Sequence, residues 1–145
     1  MISTKFKNIL VPLDGSKNSM RGLDTAIGLA RQSHAKLVGI CVLQRPPHPA
    51  FRSARSVQYP EKQILQNAQD IMDFAEKHCA QNGILFEKKI TFGDPGHMIV
   101  KFAKDKGFDL IVIGARGIGA VKEIFFGSVS NYVLHKATIP VLVVK

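Results

Sequence analysis

The sequence predicts a single α/β domain, a five-stranded parallel sheet sandwiched by four helices. Three observations carry this. Five short apolar runs alternate with four amphipathic stretches, so each strand is joined to the next by a helical crossover, which parallel pairing requires. The runs are apolar almost throughout, as strands covered on both faces are. Glycine or proline punctuates most changes from one pattern to the next.

The first strand spans Phe6 to Leu13, ending on Val11-Pro12-Leu13. Asp14-Gly15-Ser16 is a turn residue set, and Ser16 is placed to cap the first helix. That helix is predicted over Lys17–Ser33, with Met20, Leu23, Ile27 and Ala30 recurring at three- and four-residue spacing. Ala35 to Leu43 is the second strand. The stretch from Gln44 to Tyr59 holds Pro46, Pro47 and Pro49 with Arg45, Arg52 and Arg55. It is long for a connection within one domain, as functional loops often are. The second helix is predicted from about Pro60 to Asn82, with a stripe of Ile64, Ala68, Ile71, Ala75 and Cys79, and Gly83 stops it. Ile84 to Thr91 is the third strand. Asp94-Pro95 reads as a cap and a first-position proline, opening a third helix through Met98, Ile99, Phe102 and Lys106 that Gly107 ends. The fourth strand is Asp109 to Ile113. The fourth helix starts near Val129, and Ile139 to Lys145 closes the sheet.

Bulk properties set bounds. A chain of 145 residues, 46% hydrophobic and 21% charged, can bury one core and has no boundary or internal repeat that would divide residues 1–145. Cys41 and Cys79 form no Cys-x-x-Cys pair, and the five histidines show no zinc spacing; both cysteines are expected as reduced core residues. No apolar run approaches the roughly 18 residues of a membrane span, and Ile9-Leu10-Val11 before Pro12 is too short for the core of a secretory leader. A cytoplasmic location without membrane contact is therefore expected. The formal net charge of +9 favours encounter with anions, but the basic residues form no continuous tract, so nucleic acid is not expected as a partner.

The most informative stretch is Gly114-Ala115-Arg116-Gly117, then nine residues, then Gly127-Ser128. It lies between an apolar strand and a helix. Glycines let backbone approach a ligand closely and accept positive φ, and a helix N-terminus offers unpaired N–H groups and a partial positive charge to a phosphate. The spacing is neither the dinucleotide fingerprint nor the P-loop. In a doubly wound sheet the first and fourth strands are neighbours, and ligands bind at their carboxyl ends. The crevice is therefore expected between Asp14 and the glycine loop. Asp14 also suits a turn and cap; Ser128 also suits a helix cap; Val42 also suits the core. Arg116 and Lys122 carry charge in the loop, while His97 and Phe125-Phe126 read as ordinary surface and packing residues.

The spacing Gly-x2-Gly-x9-Gly-Ser matches the nucleotide-binding signature of the universal stress protein family, in its ATP-binding branch. The resemblance extends along the chain through Ile9–Ser16, Gly93-Asp94-Pro95 and Ser130–Val144. It implies a Rossmann-like adenine-nucleotide-binding fold with strand order 3-2-1-4-5. It implies that Asp14 bonds the ribose or adenine end of ATP (or ADP or AMP), with Pro12 and Leu13 lining the pocket and Val42 presenting backbone to the adenine edge. Gly114 and Gly117 would let the loop wrap ribose and phosphates; apart from the resemblance, Arg116 in that loop suits neutralising phosphate charge or a loop tip in water. Gly127, Ser128 and Val129 would offer N–H groups to the phosphates, and Ser130 a further hydroxyl. Magnesium would arrive with the nucleotide. A homodimer through the last strand, 139–145, is implied as well.

The P-loop lysine is absent, and Glu123 is the lone carboxylate inside the signature loop. The expected function is therefore a nucleotide-binding regulatory or stress-response protein. A slow ATP hydrolase or phosphotransferase is the alternative, with Ser128, Ser130 or Thr138 open to modification. A basic scaffold for nucleic acid or another acidic partner comes third.

Overall fold

The computed structural model describes residues 5–45, 60–117 and 126–145. Most of the Gln44–Tyr59 stretch, and Lys122, Glu123 and Phe125, lie outside the described residues. The elements are β1 (Asn8–Pro12), α1 (Lys17–Ser33), β2 (Lys36–Leu43), α2 (Glu61–Gln81), β3 (Phe86–Phe92), α3 (Pro95–Asp105), β4 (Leu110–Gly114), α4 (Ser128–Lys136) and β5 (Val141–Val144). They form one five-stranded sheet in the order β3-β2-β1-β4-β5, all pairs parallel.

The near-continuous apolar strands serve two cores. Because side chains alternate across a strand, Ile9, Val11, Leu37, Cys41, Leu110 and Val112 face α1 and α2. Leu10, Val38, Ile40, Ile111 and Ile113 face α3 and α4. Leu23, Ile27 and Ala30 of α1 are buried, as are Ala68, Ala75 and Cys79 of α2, whose largest buried contribution is Met72. Strand ends differ from the sequence reading by a residue or two: β1 is shorter than Phe6–Leu13, β3 begins at Phe86 instead of Ile84, and β5 keeps Val141–Val144 alone.

The helix caps explain where the helices begin. The Ser16 hydroxyl accepts from Ser19 N, and the Asp94 carboxylate from His97 N, with Pro95 opening α3. Among described residues no helix is long and apolar enough to cross a membrane.

Candidate functional site

At the carboxyl end of the sheet β1 and β4 separate. Their ladder is registered at Ile9↔Leu110 and Leu10↔Ile111, whereas β1 stays with β2 as far as Pro12↔Ile40, followed by Leu13 N donating to Ile40 O at 2.9 Å. Leu13 N points to β2, so by alternation the missing N–H of Pro12 is on the β4 side, where no ladder bond is lost. The gap opens into a cavity of about 490 Å³.

All eleven residues singled out from the sequence line this cavity: Pro12, Leu13, Asp14, Val42, Gly114, Arg116, Gly117, Gly127, Ser128, Val129 and Ser130. The fold adds Ser16 and Ser19 from α1, Ile40 and Gln44 from the β2 end, Pro95 and Ile99 from α3, Ile113, and Phe126. Its floor is apolar, with Ile40, Ile99 and Ile113 belonging to the α3/α4 core. Asp14 and Arg116 are the two residues with fully charged side chains among the described lining.

Asp14 is held in place. Its Oδ1 accepts from Ser16 N at 2.9 Å, and its Oδ2 packs against the Cα side of Gly117, where a Cβ would collide with it. The turn and cap role and a ligand-facing role thus coexist in one carboxylate. Burial, and then the charge of Asp14, pushes the Cys41 thiol from 9.0 up to about 11.

The glycines have different reasons. The signature glycines do not adopt positive φ; that conformation belongs to Gly15, Gly83, Gly93 and Gly107. A Cβ on Gly114 would lie 2.7 Å from the carbonyl carbon of Asn18 and 2.8 Å from Ser19 N. Gly114 is therefore glycine so that α1 can approach β4, a packing requirement at a residue that also lines the cavity. On Gly127, by contrast, a Cβ would meet Ala115 O and the Arg116 Cα at 3.5 Å, ordinary contact, and its φ of −78° suits any residue. The fold does not require glycine at 127.

The start of α4 also corrects the sequence reading by one residue. Gly127, not Ser128, is the N-cap, and no side chain caps the helix. The Gly127 N–H is taken by Ala115 O at 2.6 Å, so donors for an anion come from Ser128, Val129 and Ser130, whose N–H groups have no intrahelical partner. The Ser130 hydroxyl is buried and donates to Ala115 O at 2.7 Å, which anchors the helix start instead of offering a proton to a ligand. Of the three helices that reach the cavity, α1 and α3 are capped by their own side chains and α4 is not.

At the opposite wall, Gly93 N donates to Leu43 O at 2.8 Å, so the backbone groups of Leu43 face β3. Alternation turns the N–H and C=O of Val42 the other way, past the last β1 contact with β2 and into the cavity. Val42 thus presents one donor beside one acceptor. Among the described residues no cluster of three or more metal-ligating side chains occurs.

The sequence matches the universal stress protein family model over residues 5–145. The universal stress protein YxiE of Bacillus subtilis is 35% identical over 148 residues, covering 97% of this chain and 99% of that protein. The chain belongs to the universal stress protein family. Among solved members, UspA from Lactobacillus plantarum superposes with a TM-score of 0.83 at 25% identity, over 99% of this chain and 100% of that one. A universal stress protein in complex with cAMP gives 0.74 at 26% identity, over 98% and 99%. The family member from Archaeoglobus fulgidus in complex with dAMP gives 0.70 at 25%, over 98% and 100%.

Proposed function

We propose that this universal stress protein binds an adenine nucleotide, ATP in its working state, in the cavity between β1 and β4, and that it acts as a nucleotide-responsive regulatory protein of the stress response. The observation that carries the reading is the uncapped N-terminus of α4 opening into the cavity. Its free N–H groups and partial positive charge complement phosphate, and Arg116 adds a full positive charge from the adjoining loop.

The other features support adenine. The Val42 N–H would donate to the base N1 while its C=O accepts from the exocyclic amine; guanine presents the opposite pattern. The floor of Ile40, Ile99 and Ile113 gives the ring an apolar surface. Asp14, fixed by Ser16 N, accepts from ribose hydroxyls. The mononucleotide complexes of the two relatives are in keeping with such a pocket. Magnesium would supply charge neutralisation of the triphosphate, held mainly by phosphate oxygens and water, with Asp14 the single carboxylate among the described lining.

The pocket is built for holding a nucleotide. Asp14 has one oxygen engaged in the turn and the Ser130 proton is committed to Ala115. A slow hydrolase would reveal itself as magnesium-dependent phosphate release abolished by Asp14→Ala. Titration of the purified protein with ATP, AMP and GTP tests the reading. Saturable adenine binding with GTP at least ~10-fold weaker, about 1.4 kcal/mol, supports it; no adenine nucleotide binding overturns it.

We also infer a homodimer through β5. Val141–Val144 forms a sheet edge, and Leu142 within it is exposed. Such an apolar edge is stable in solution when paired. Leu142→Asp should convert the dimer to monomer in sedimentation experiments; an unchanged sedimentation coefficient would reject that interface.

A further inference from the structure

The two helical layers differ in charge. On one face α1 has three cations and one carboxylate, and α2 two and four, so that layer is neutral. On the other face α3 with its C-cap carries Lys101, Lys104 and Lys106 against Asp105, and α4 adds Lys136 without a carboxylate. Asp94 sits at the far end of α3, where it caps the helix. β3 divides its lysines between the layers. Lys88 pairs with Asp73 and Glu76 of α2 at 2.9 and 3.1 Å, while Lys89 lies 5.7 Å from the Phe102 ring centroid on α3.

These lysines are neighbours. The hydrogen bond from Lys101 at 2.6 Å holds the Asp105 carboxyl below the usual range, and the fields of Lys101, Lys104 and Lys106 add to it. Lys89, Lys101, Lys104 and Lys106, the four around α3, are all exposed. A helix C-terminus attracts a cation in its last turn, as Arg31 does on α1. That accounts for one lysine on α3, not for four around it. Folding thus adds Lys89 of β3 to the three lysines that residues 101–106 already hold.

We propose that the α3 face is a docking surface for the phosphate backbone of double-stranded nucleic acid, read without base specificity. Lysines are flexible point charges suited to phosphates. The face lacks what other polyanion partners use. None of the exposed large hydrophobic residues described lies on α3, so it has no anchor for a protein hot spot or for the acyl region of a membrane. Its aromatic ring, Phe102, is half-buried beneath Lys89 and is not a stacking platform for single strands.

Fluorescence anisotropy with a labelled duplex tests this on the full-length protein. Lys89, Lys104 and Lys106 engaging three phosphates give a slope of log K against log salt of about −2.7, with Kd in the ~1–100 µM range. Lys104→Glu/Lys106→Glu should weaken binding at least ~10-fold and flatten the slope by about two units. Lys62→Glu/Lys77→Glu makes the same change of net charge on the neutral layer and should weaken it less than ~3-fold. ATP titration of both variants confirms that each is folded. No duplex binding at ~50 mM salt, equal losses in the two double variants, or tighter binding to anionic phosphatidylserine vesicles than to duplex would each overturn the proposal.

Discussion

β1 and β4 are joined at one end and parted at the other, and each end carries an aspartate. At the amino end Asp109 closes the pair. Its carboxylate accepts from Lys7 N at 3.0 Å and Asn8 N at 3.2 Å, while its own N–H donates to Asn8 O at 3.1 Å. At the carboxyl end Asp14 binds its own turn through Oδ1, packs Oδ2 against Gly117 and lines the cavity. The same side chain on the same strand pair completes the fold at one end and lines the candidate site at the other. Backbone supply decides which. Where the strands run side by side, the N–H groups of the facing strand take up the carboxylate; where they diverge, it accepts from the N–H of its own turn.

The largest effect should come from a residue with no structural reason to be glycine. Gly127→Val fits the helix cap geometry, yet its side chain would fill the approach to the α4 N–H groups. Calorimetric ATP affinity should fall about 100-fold, about 2.7 kcal/mol, with the melting temperature little changed. Asp109→Ala should show the reverse. Losing a carboxylate bonded to two backbone N–H groups should cost about 2 kcal/mol of stability, lowering the melting temperature by about 4–8 °C, with ATP affinity unaltered. A loss of affinity matching that of Gly127→Val would dissolve the contrast between the two ends.

Asp14→Ala should weaken ATP about 10-fold, about 1.4 kcal/mol, while stability changes less than it does for Asp109→Ala. The smallest effect sharpens the comparison from behind the site. Asp14 contributes, after burial, to raising the Cys41 thiol to about 11. Thiolate absorbance in Asp14→Asn should therefore appear at lower pH, a shift smaller than the whole displacement from 9.0. The unfolded thiols ionise near 9.0, and the folded Cys41 and Cys79 near 11. Between these values the unfolded state has released protons that the native state retains, so stability is full below about pH 9 and declines as pH rises towards 11. A flat stability profile through that window would contradict the burial of both thiols.

Much of this was legible in the sequence because the chain is locally consistent. Apolar runs, caps such as Ser16 and Asp94, and stops such as Gly83 and Gly107 act within a few residues of themselves. The residues of the candidate site were legible mostly through the family resemblance that the glycine spacing carries, and the eleven positions meet in one cavity. What spacing could not convey was the reason for each residue. Gly114 is glycine because α1, nearly a hundred residues earlier, crosses it. Ser130 faces the cavity but spends its proton on Ala115. Ser16, Ser19, Pro95 and Ile99 reach the site through helix packing that no local pattern records. The lysines of α3 and β3 are neighbours only once β3 has paired with β2.

The most direct test of nucleotide binding is to denature the purified protein, chromatograph the supernatant, and titrate the stripped protein with ATP and magnesium. Adenine nucleotide released and then rebound by the wild type, but not by Gly127→Val with its fold intact, is the predicted result. No nucleotide released and none bound would mean that the uncapped start of α4 is only a feature of the fold, and would contradict the account.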